Sequence, residues 1–385
     1  MDLNFDAATT AFRAEVRGWL RANVPAQPLP SMDTAEGFAA HREWERTLAD
    51  ARLSVVSWPT EYGGQDATLL EWVVFEEEYY RCGAPGRVSQ NGIFLLAPTL
   101  FEHASPEQLN RIMPRMARAE DIWAQAWSEP ESGSDLASLR STAKRVDGGW
   151  VLNGQKTWSS RASFADWGFG LFRSDPQAGR HRGITYFMFD LRAAGVTVRP
   201  IAQLDGEPGF AELFLEDVFV PDSPDDPAGA GVIGEVDNGW KVAMSTAANE
   251  RGLSLRSPGR FLATVDRLLA LWEQRGDRDP ALAEKVADAW IGARAYQLST
   301  FGTVTRLAEG GQLGMESSIN KVFWSEWDIA THETALELRG AEAELAGNWM
   351  DGYLFSLSGP IYAGTNEIQK NVIAERLLGL PRGDR

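Results

Sequence analysis

The chain contains 385 residues, of which 44% are hydrophobic and 24% are charged. That length allows a large buried core and two or three structural units. A formal net charge of −17 argues against a nucleic-acid partner and an anionic membrane surface, although an anionic small ligand responds to the local field instead. The single cysteine, Cys82, excludes an internal disulfide and a cysteine-based zinc site, and we expect no metal.

Residues 1–121 are predicted to form an N-terminal helical domain. Four apolar side chains recur at helical spacing in its first segment: Phe12, Val16, Trp19 and Leu20. Asp6 precedes them as a candidate N-cap, and Ser105 followed by Pro106 marks the start of a later helix. The first residues lack a signal-sequence pattern, and no apolar run approaches the roughly 20 residues of a membrane span. We therefore expect a cytoplasmic protein without a membrane span.

Short alternating segments replace the helical pattern between residues 122 and 233, which we predict to form a β-rich middle domain. The Asp-Gly-Gly sequence at 147–149 indicates a hairpin turn between two strands. Three further strands are predicted from "GITYFMFDL", "VTVRPI" and "AELFLEDVFVP". A loop rich in Pro, Gly and Asp ends the domain.

Residues 234–385 return to a helical pattern. Four long segments, at roughly 239–275, 279–309, 315–347 and 365–379, predict a helical bundle. The predicted fold is thus mainly α with a β-rich middle domain. A break of small residues from Ala363 to Asn366 precedes the last helix, and such a turn permits close approach between backbone and ligand.

Two stretches of the middle domain have the composition of a ligand site. In "WAQAWSEPESGSDLASL", hydroxyl side chains and turn N–H groups could hold an anionic or heteroaromatic ligand; the alternative is a polar connecting loop. In "NGQKTWSS", Trp158 and Ser160 could stack on and hydrogen-bond a planar cofactor. The alternative there is a buried strand tryptophan.

Together these stretches resemble the acyl-CoA dehydrogenase family. "SEPESGSDL", "NGQKTWSS" and "YAGTNEIQKNVIAERLLGLPR" are similar to three signatures of that family and occur in the family's order. The resemblance covers nearly the whole chain. It implies an N-terminal helical domain, a middle β-barrel or sandwich and a C-terminal four-helix bundle. It also implies non-covalent FAD, α,β-dehydrogenation of an acyl-CoA substrate, and electron transfer to an electron-transfer flavoprotein.

The resemblance assigns roles motif by motif. Gln125, Trp127 and Ser128 fall where the family's loop meets the flavin ring, and Ser134 falls where that loop reaches both flavin and acyl-CoA. Trp158 would lie against the ring, and Ser160 would hydrogen-bond the ring near N5. The remaining cofactor residues implied for the adenosine half are Thr365 and Glu367.

The catalytic base is less obvious, because many family members carry a glutamate where this chain has Ala363. Isovaleryl- and long-chain-type members place a Glu-Arg pair on the first helix of the C-terminal domain instead. Here that position holds Glu250 and Arg251, so Glu250 is the predicted base and Arg251 a predicted substrate-site residue that keeps it ionised. The alternative is a helical ion pair at the surface.

Two departures from the family bear on assembly. The usual Arg-x-x-Phe-Gly stretch, whose arginine contacts the FAD pyrophosphate of a neighbouring subunit, is absent, with Arg275 or Arg278 as possible substitutes. The Gly-Gly segment near the adenosine half is altered to "ALELRGAEAELAG". We expect a homo-oligomer, dimer or tetramer, with a heteromer containing a homologous chain as the alternative. Competing functions are a flavin oxidase or monooxygenase and a partner subunit with partial sites.

Overall fold

The computed structural model describes residues 4–222, 231–251, 257–276, 278–311, 314–315 and 317–382, with only the backbone described at 248–251. The chain divides into two compact units that interleave along the sequence. The first unit comprises Met1–Pro25, Ala67–Ala84 and Arg251–Arg385, and the second comprises Ala26–Asp66 and Pro85–Glu250. The domain boundaries predicted at residues 121 and 233 follow the order of helical and β segments and stay a prediction.

The second unit contains short helices and the sheet. Its helices are α2 (Ala35–Asp50), a π-helical turn (Asn91–Leu96), α4 (Ala97–His103), α5 (Pro106–Ala117) and α6, which spans Gly239–Arg251. Its strands are β1 (Trp123–Ala126), β2 (Thr142–Val146), β3 (Gly149–Ser160), β4 (Trp167–Arg173), β5 (Ile184–Asp190), β6 (Val196–Ile201), β7 (Phe210–Pro221) and β8 (Val232–Ile233). They form one sheet in the order β6-β7-β3-β2-β4-β5-β8, with β1 parallel to β4.

The first unit is helical. Its helices are α1 (Ala7–Asn23), α3 (Leu69–Arg81), α7 (Pro258–Gln274), α8 (Pro280–Ala308), α9 (Ser317–Arg339), α10 (Asn348–Ser356), α11 (Asn366–Val372) and a π-helical turn at Ile373–Leu377. α7, α8 and α9 pack around buried Leu262, Leu268 and Val286. The predicted fold class, mainly α with a β-rich middle, is confirmed. No helix in the described ranges is long and apolar enough to cross a membrane.

Local signals in the sequence act as predicted. The Asp6 carboxylate accepts a hydrogen bond from the Thr9 N–H at 2.7 Å and caps α1. Ser105 forms a reciprocal capping box with Gln108 at the start of α5. The turn at 147–149 joins the antiparallel pair β2 and β3.

Two helical predictions need correction, and one further helix was not predicted. The predicted segment 315–347 ends as α-helix at Arg339, where a 3₁₀ turn takes over at Gly340–Glu344, because Gly340 has a φ of +58° that interrupts the α-helix. α10 was not predicted. The terminal helix changes to a π-helical turn after Val372.

Three consecutive glutamates on α3, at positions 76–78, are buried in the first unit. Both oxygens of the Glu78 carboxylate accept hydrogen bonds from the Arg17 guanidinium, at 2.7 and 2.8 Å. Burial alone would raise the pKa of Glu78, but the nearby arginines, Arg17 foremost, outweigh it and hold the pKa below its ordinary value. The pair therefore fastens α1 to α3 with an ionised carboxylate.

We predict that Glu78→Gln lowers the free energy of unfolding at pH 7 by about 1–3 kcal/mol, because charged hydrogen bonds to arginine are lost. Since the folded-state pKa is depressed, this contribution exists above the unfolded-state pKa and disappears as the pH falls through the folded-state value. Urea unfolding at pH 7 and at progressively lower pH should show the gap to the parent protein narrowing. Glu43→Gln, which alters an exposed pair with Arg46, should stay near the parent at every pH. A constant gap for Glu78→Gln would contradict the assignment.

Candidate functional site

The loop after β1 is fastened to the neighbouring strands. The Trp127 indole donates to the Tyr186 hydroxyl on β5 at 3.0 Å. The Ser128 carbonyl accepts from the Thr157 N–H on β3 at 2.9 Å. The two predicted ligand stretches, 123–139 and 153–160, therefore meet at Ser128.

A buried ion pair lies beneath this junction. The Lys156 ammonium, fully buried, is 2.8 Å from the Glu129 carboxylate and also donates to the Leu171 carbonyl on β4 at 2.7 Å. Glu129 in turn accepts from the backbone N–H groups of Arg140 and Ser141 at 2.6 and 3.0 Å. Burial would raise the pKa of Glu129, but the lysine and the N–H donors outweigh it and lower that pKa. The Glu129 carboxylate is therefore held in its charged form, whereas burial, only partly offset by Glu129, lowers the pKa of the Lys156 ammonium.

Trp158 occupies an irregular position in β3. The pairing of β3 with β7 shifts between Lys156 and Ser159, which marks a β-bulge. Trp158 there has a φ of +59°, an outlier for a bulky residue that typically costs roughly 1–3 kcal/mol. Its side chain is 59% exposed, so the alternative of a buried strand tryptophan is wrong. An indole face is presented to the surrounding medium.

The other predicted residues of this unit lie around that face. Ser160 is half-buried at the end of β3, opposite Phe210 of β7, whose ring contacts Trp158 edge-on at 5.9 Å. Gln125 is half-buried on β1, and Ser134 is exposed in the Ser-Gly-Ser-Asp turn. Among the described residues, no hydrogen bond joins Gln125 or Ser134 to Trp158.

The small-residue turn before α11 belongs to the first unit. Ala363 and Gly364 have φ values of +57° and +79°, and the Thr365 hydroxyl caps α11 by accepting from the Ile368 N–H at 3.3 Å. The fully buried Gln369 donates to the carbonyls of Ala363 and Gly364, both at 3.3 Å. The turn therefore has a defined conformation.

A second buried lysine stabilises the same turn. The Lys321 ammonium on α9 donates to the Gly359 carbonyl at 2.8 Å and to the Asn366 side-chain oxygen at 2.9 Å. The Ser325 hydroxyl donates to the same Asn366 oxygen at 3.1 Å. These bonds connect both ends of the 359–366 segment to one helix.

Thr365 and Glu367 occupy the first turn of α11. Hydrogen bonds from its own N–H and from the Thr365 hydroxyl lower the pKa of the exposed Glu367 carboxyl. That carboxylate is therefore charged and accessible, as a residue accepting hydrogen bonds from a ribose or an adenine would be.

The predicted base lies at the end of α6. Glu250 and Arg251 are the last two residues of that helix, and their side chains lie outside the described residues. The helix itself is anchored one turn earlier, where the buried Thr246 hydroxyl is 2.8 Å from the Thr99 hydroxyl of α4. The backbone that carries Glu250 is thus held by packing.

Arg275 and Arg278, the two predicted substitutes for the missing pyrophosphate arginine, both form contacts within their own chain. The Arg275 guanidinium donates to the Leu338 carbonyl at 2.7 Å. Arg278 donates to the Trp272 carbonyl at 3.3 Å and lies over the Trp272 ring at 5.1 Å. In the described part of the chain, no cluster of His, Cys, Asp or Glu is suited to a metal.

Comparison with known proteins defines the class of protein. Models of the acyl-CoA dehydrogenase N-terminal, middle and C-terminal domains match residues 6–120, 124–218 and 237–378. The chain belongs to the acyl-CoA dehydrogenase family, and is an FAD-dependent oxidoreductase.

Individual relatives are similar over most of the chain. Acyl-CoA dehydrogenase IpdE1 of Mycolicibacterium smegmatis is 36% identical and aligns over 96% of this chain and 97% of its own length. Two solved structures superpose on this chain with a TM-score of 0.86 and 25% identity, and each match covers 100% of this chain and 100% of the solved chain. They are the Tcur3481-Tcur3483 steroid ACAD and the ChsE4-ChsE5 complex from Mycobacterium tuberculosis.

The residues present fit FAD. An outward-facing indole two positions before Ser160 on β3 suits a planar, hydrogen-bonding ring, and the bulge at Trp158 leaves most of that indole exposed. The capped, left-handed turn before α11 leaves the Thr365–Glu367 end accessible to the polar half of a cofactor.

Sequence reasoning missed the residues beneath the site. Lys156 lies inside a quoted motif, but its partner Glu129 was read only as part of a turn. The signal was present in the strand alternation, because Lys156 shares its face with buried Trp150 and Leu152. A lysine at an inward position requires a buried partner. Tyr186, Lys321 and Gln369 carried no comparable signal.

We predict that Trp158→Ala weakens FAD retention while leaving the fold intact, because the ring loses a stacking face worth about 1 kcal/mol beyond its area burial. FAD dissociation constants and thermal unfolding of the apoprotein should be measured together. Phe219→Ala removes a comparably exposed aromatic, 49% exposed, from the far end of the same strand pair and should bind FAD like the parent. A Trp158→Ala protein that unfolds, with unchanged FAD affinity in its folded fraction, would assign Trp158 to the core.

Proposed function

We propose that this chain removes a proton and a hydride from adjacent carbons of an acyl-CoA thioester and releases the 2-enoyl-CoA. Bound FAD supplies the hydride acceptor for this reaction. The observation that carries the proposal is the outward-facing Trp158, which follows Thr157, the residue whose N–H donates to the Ser128 carbonyl. Gln125, Trp127 and Ser134 are proposed to complete the surface around the flavin and the thioester.

Glu250 is proposed as the base that accepts the α-proton. Ala363 occupies the position where many family members carry a glutamate, and its methyl group cannot accept a proton. A base on a helix packed through Thr246 and Thr99 can be positioned more closely than one on a loop. Arg251 is proposed to keep the carboxylate ionised.

The acyl group is proposed to be bulky and ring-bearing, of steroid origin. One solved structure that covers the chain completely is named a steroid ACAD. A base on the earlier helix is compatible with a wide acyl chain.

The electron acceptor is proposed to be an electron-transfer flavoprotein, in the cytoplasm. A related oxidase or monooxygenase would instead return its electrons to oxygen. The two are separated by reducing the bound flavin with substrate and adding air-saturated buffer. Re-oxidation within one turnover time would favour the oxygen-using reading.

We further propose assembly with a homologous chain. The two solved structures at 25% identity are named as pairs of chains. The guanidinium groups of Arg275 and Arg278 donate to carbonyls of their own chain, and we propose that the homologous chain supplies the arginine for the FAD pyrophosphate. α8 also exposes Trp290, Ile291 and Leu298 by 42%, 57% and 42%, which a second chain could cover.

We predict that the chain expressed alone retains less than one FAD per polypeptide and that co-expression with a homologous acyl-CoA dehydrogenase chain from the same source restores full occupancy. The purified material should be analysed by absorbance, by chromatography of the heat-released cofactor and by native mass. FMN in place of FAD, or no flavin under either condition, would contradict the proposed function. Full occupancy in a homo-oligomer would contradict only the heteromeric assembly.

We predict that Glu250→Gln keeps FAD and acyl-CoA binding but slows substrate-driven flavin bleaching by about 10²–10⁴-fold, because the amide has the shape of the carboxylate without a basic oxygen. Rapid anaerobic mixing with a panel of straight-chain and steroid-derived acyl-CoAs gives the rate. Glu216→Gln, an exposed change on β7, should bleach at the parental rate. Bleaching of Glu250→Gln at that rate would leave the base to another residue or to the partner chain.

A further inference from the structure

We infer that the buried Glu129–Lys156 pair is the positioning element that turns Trp158 outward, toward the flavin of the proposed function. Trp150, Leu152 and Lys156 are buried on one face of β3, and a regular strand would place Trp158 on that same face. Instead Ser159 is fully buried and Trp158 is 59% exposed, so the strand changes phase between Lys156 and Ser159.

The phase change has a fixed starting point. Lys156 is held from two sides, by the Glu129 carboxylate at 2.8 Å and by the Leu171 carbonyl at 2.7 Å. A lysine ammonium cannot leave such a pocket without exposing or unpairing a buried charge. The next residue, Thr157, donates its N–H to the Ser128 carbonyl at 2.9 Å. Position 156 therefore cannot slide along the strand.

The far side of the bulge is held as well. The Arg161 N–H donates to the Gly209 carbonyl at 2.9 Å, and the Arg161 side chain is 2.7 Å from the Asp33 carboxylate. With both flanks fixed, the extra residue is accommodated by the left-handed conformation at Trp158, where φ is +59°. Without the Lys156 anchor, a one-residue slip would restore regular alternation and turn Trp158 inward.

The pair thus affects FAD binding only through Trp158. Replacing the pair and replacing Trp158 should therefore have non-additive effects on FAD affinity. We would replace the ion pair with a neutral pair, Lys156→Met with Glu129→Gln; the amide oxygen can still accept from one of the two N–H groups, that of Arg140 or that of Ser141. Removing both charges together avoids an unpaired buried ion, so the variant should unfold thermally close to the parent. The co-expressed complex of the full chain would be used, and FAD affinity and the visible circular dichroism of the bound flavin measured.

In this double-mutant cycle, we expect the effect of the neutral pair on FAD binding to depend on the presence of Trp158. The neutral pair should weaken FAD binding about 10-fold when Trp158 is present and less than 2-fold in the Trp158→Ala background. The flavin dichroism should change only when Trp158 is present. Arg145→Met, which removes an exposed ion pair to Asp222 on the same sheet, should change neither quantity.

Equal weakening in both backgrounds, or parental FAD affinity in the neutral-pair variant, would overturn the inference while leaving the proposed function intact. A parent complex that retains no flavin would overturn both. If the neutral pair prevents folding, Lys156→Gln with Glu129→Gln, which is also uncharged but retains polar groups that can hydrogen-bond, enters the same cycle, with the same two outcomes deciding.

Discussion

The structure of the second unit depends on how one lysine is buried. A primary ammonium removed from water needs compensating acceptors, and Lys156 finds them on two different segments, the Glu129 turn and the Leu171 carbonyl of β4. Meeting that requirement joins the loop after β1, the bulged strand β3 and the strand β4. The three are then close enough for Ser128 and Thr157 to share a backbone hydrogen bond. The surface proposed to face the cofactor follows from this junction.

The first unit also contains a buried lysine whose ammonium group donates to acceptors of an irregular segment. Lys321 is also fully buried and bonds the Gly359 carbonyl and the Asn366 side chain, which fixes the turn containing Ala363. In both units a buried lysine holds an irregular backbone segment that contains residues proposed to contact the cofactor. Irregular segments of this kind lack the repeated hydrogen bonds of helix or strand and need such side-chain support.

Much of the fold could be predicted from local signals. The Asp6 and Ser105 caps, the hairpin turn at 147–149 and the strand alternation each act over a few residues, so a sequence displays them directly. The three family signatures likewise identified the class of protein and its cofactor. α10 was missed because it follows Gly347 without a capping side chain, and so lacks the usual start signal.

The site could be predicted only in part, because its geometry rests on contacts between distant positions. Trp158 was identified as a cofactor residue, yet its exposure depends on a bulge set by Glu129, 29 positions before it in the sequence. Ala363 differs from Trp158 in this respect, because the sequence alone shows that position 363 has no carboxylate. What the sequence could not supply was the register of β3, which is decided by burial of Lys156.

The central claim is that Trp158 is held outward in order to contact the flavin. An experimental structure of the FAD-loaded complex tests it directly, through the separation between the Trp158 indole and the isoalloxazine ring. The account predicts van der Waals contact, roughly 3.5–4 Å between ring atoms, with the positive φ of Trp158 retained. An isoalloxazine bound elsewhere, with Trp158 still facing solvent or covered by protein, would contradict it.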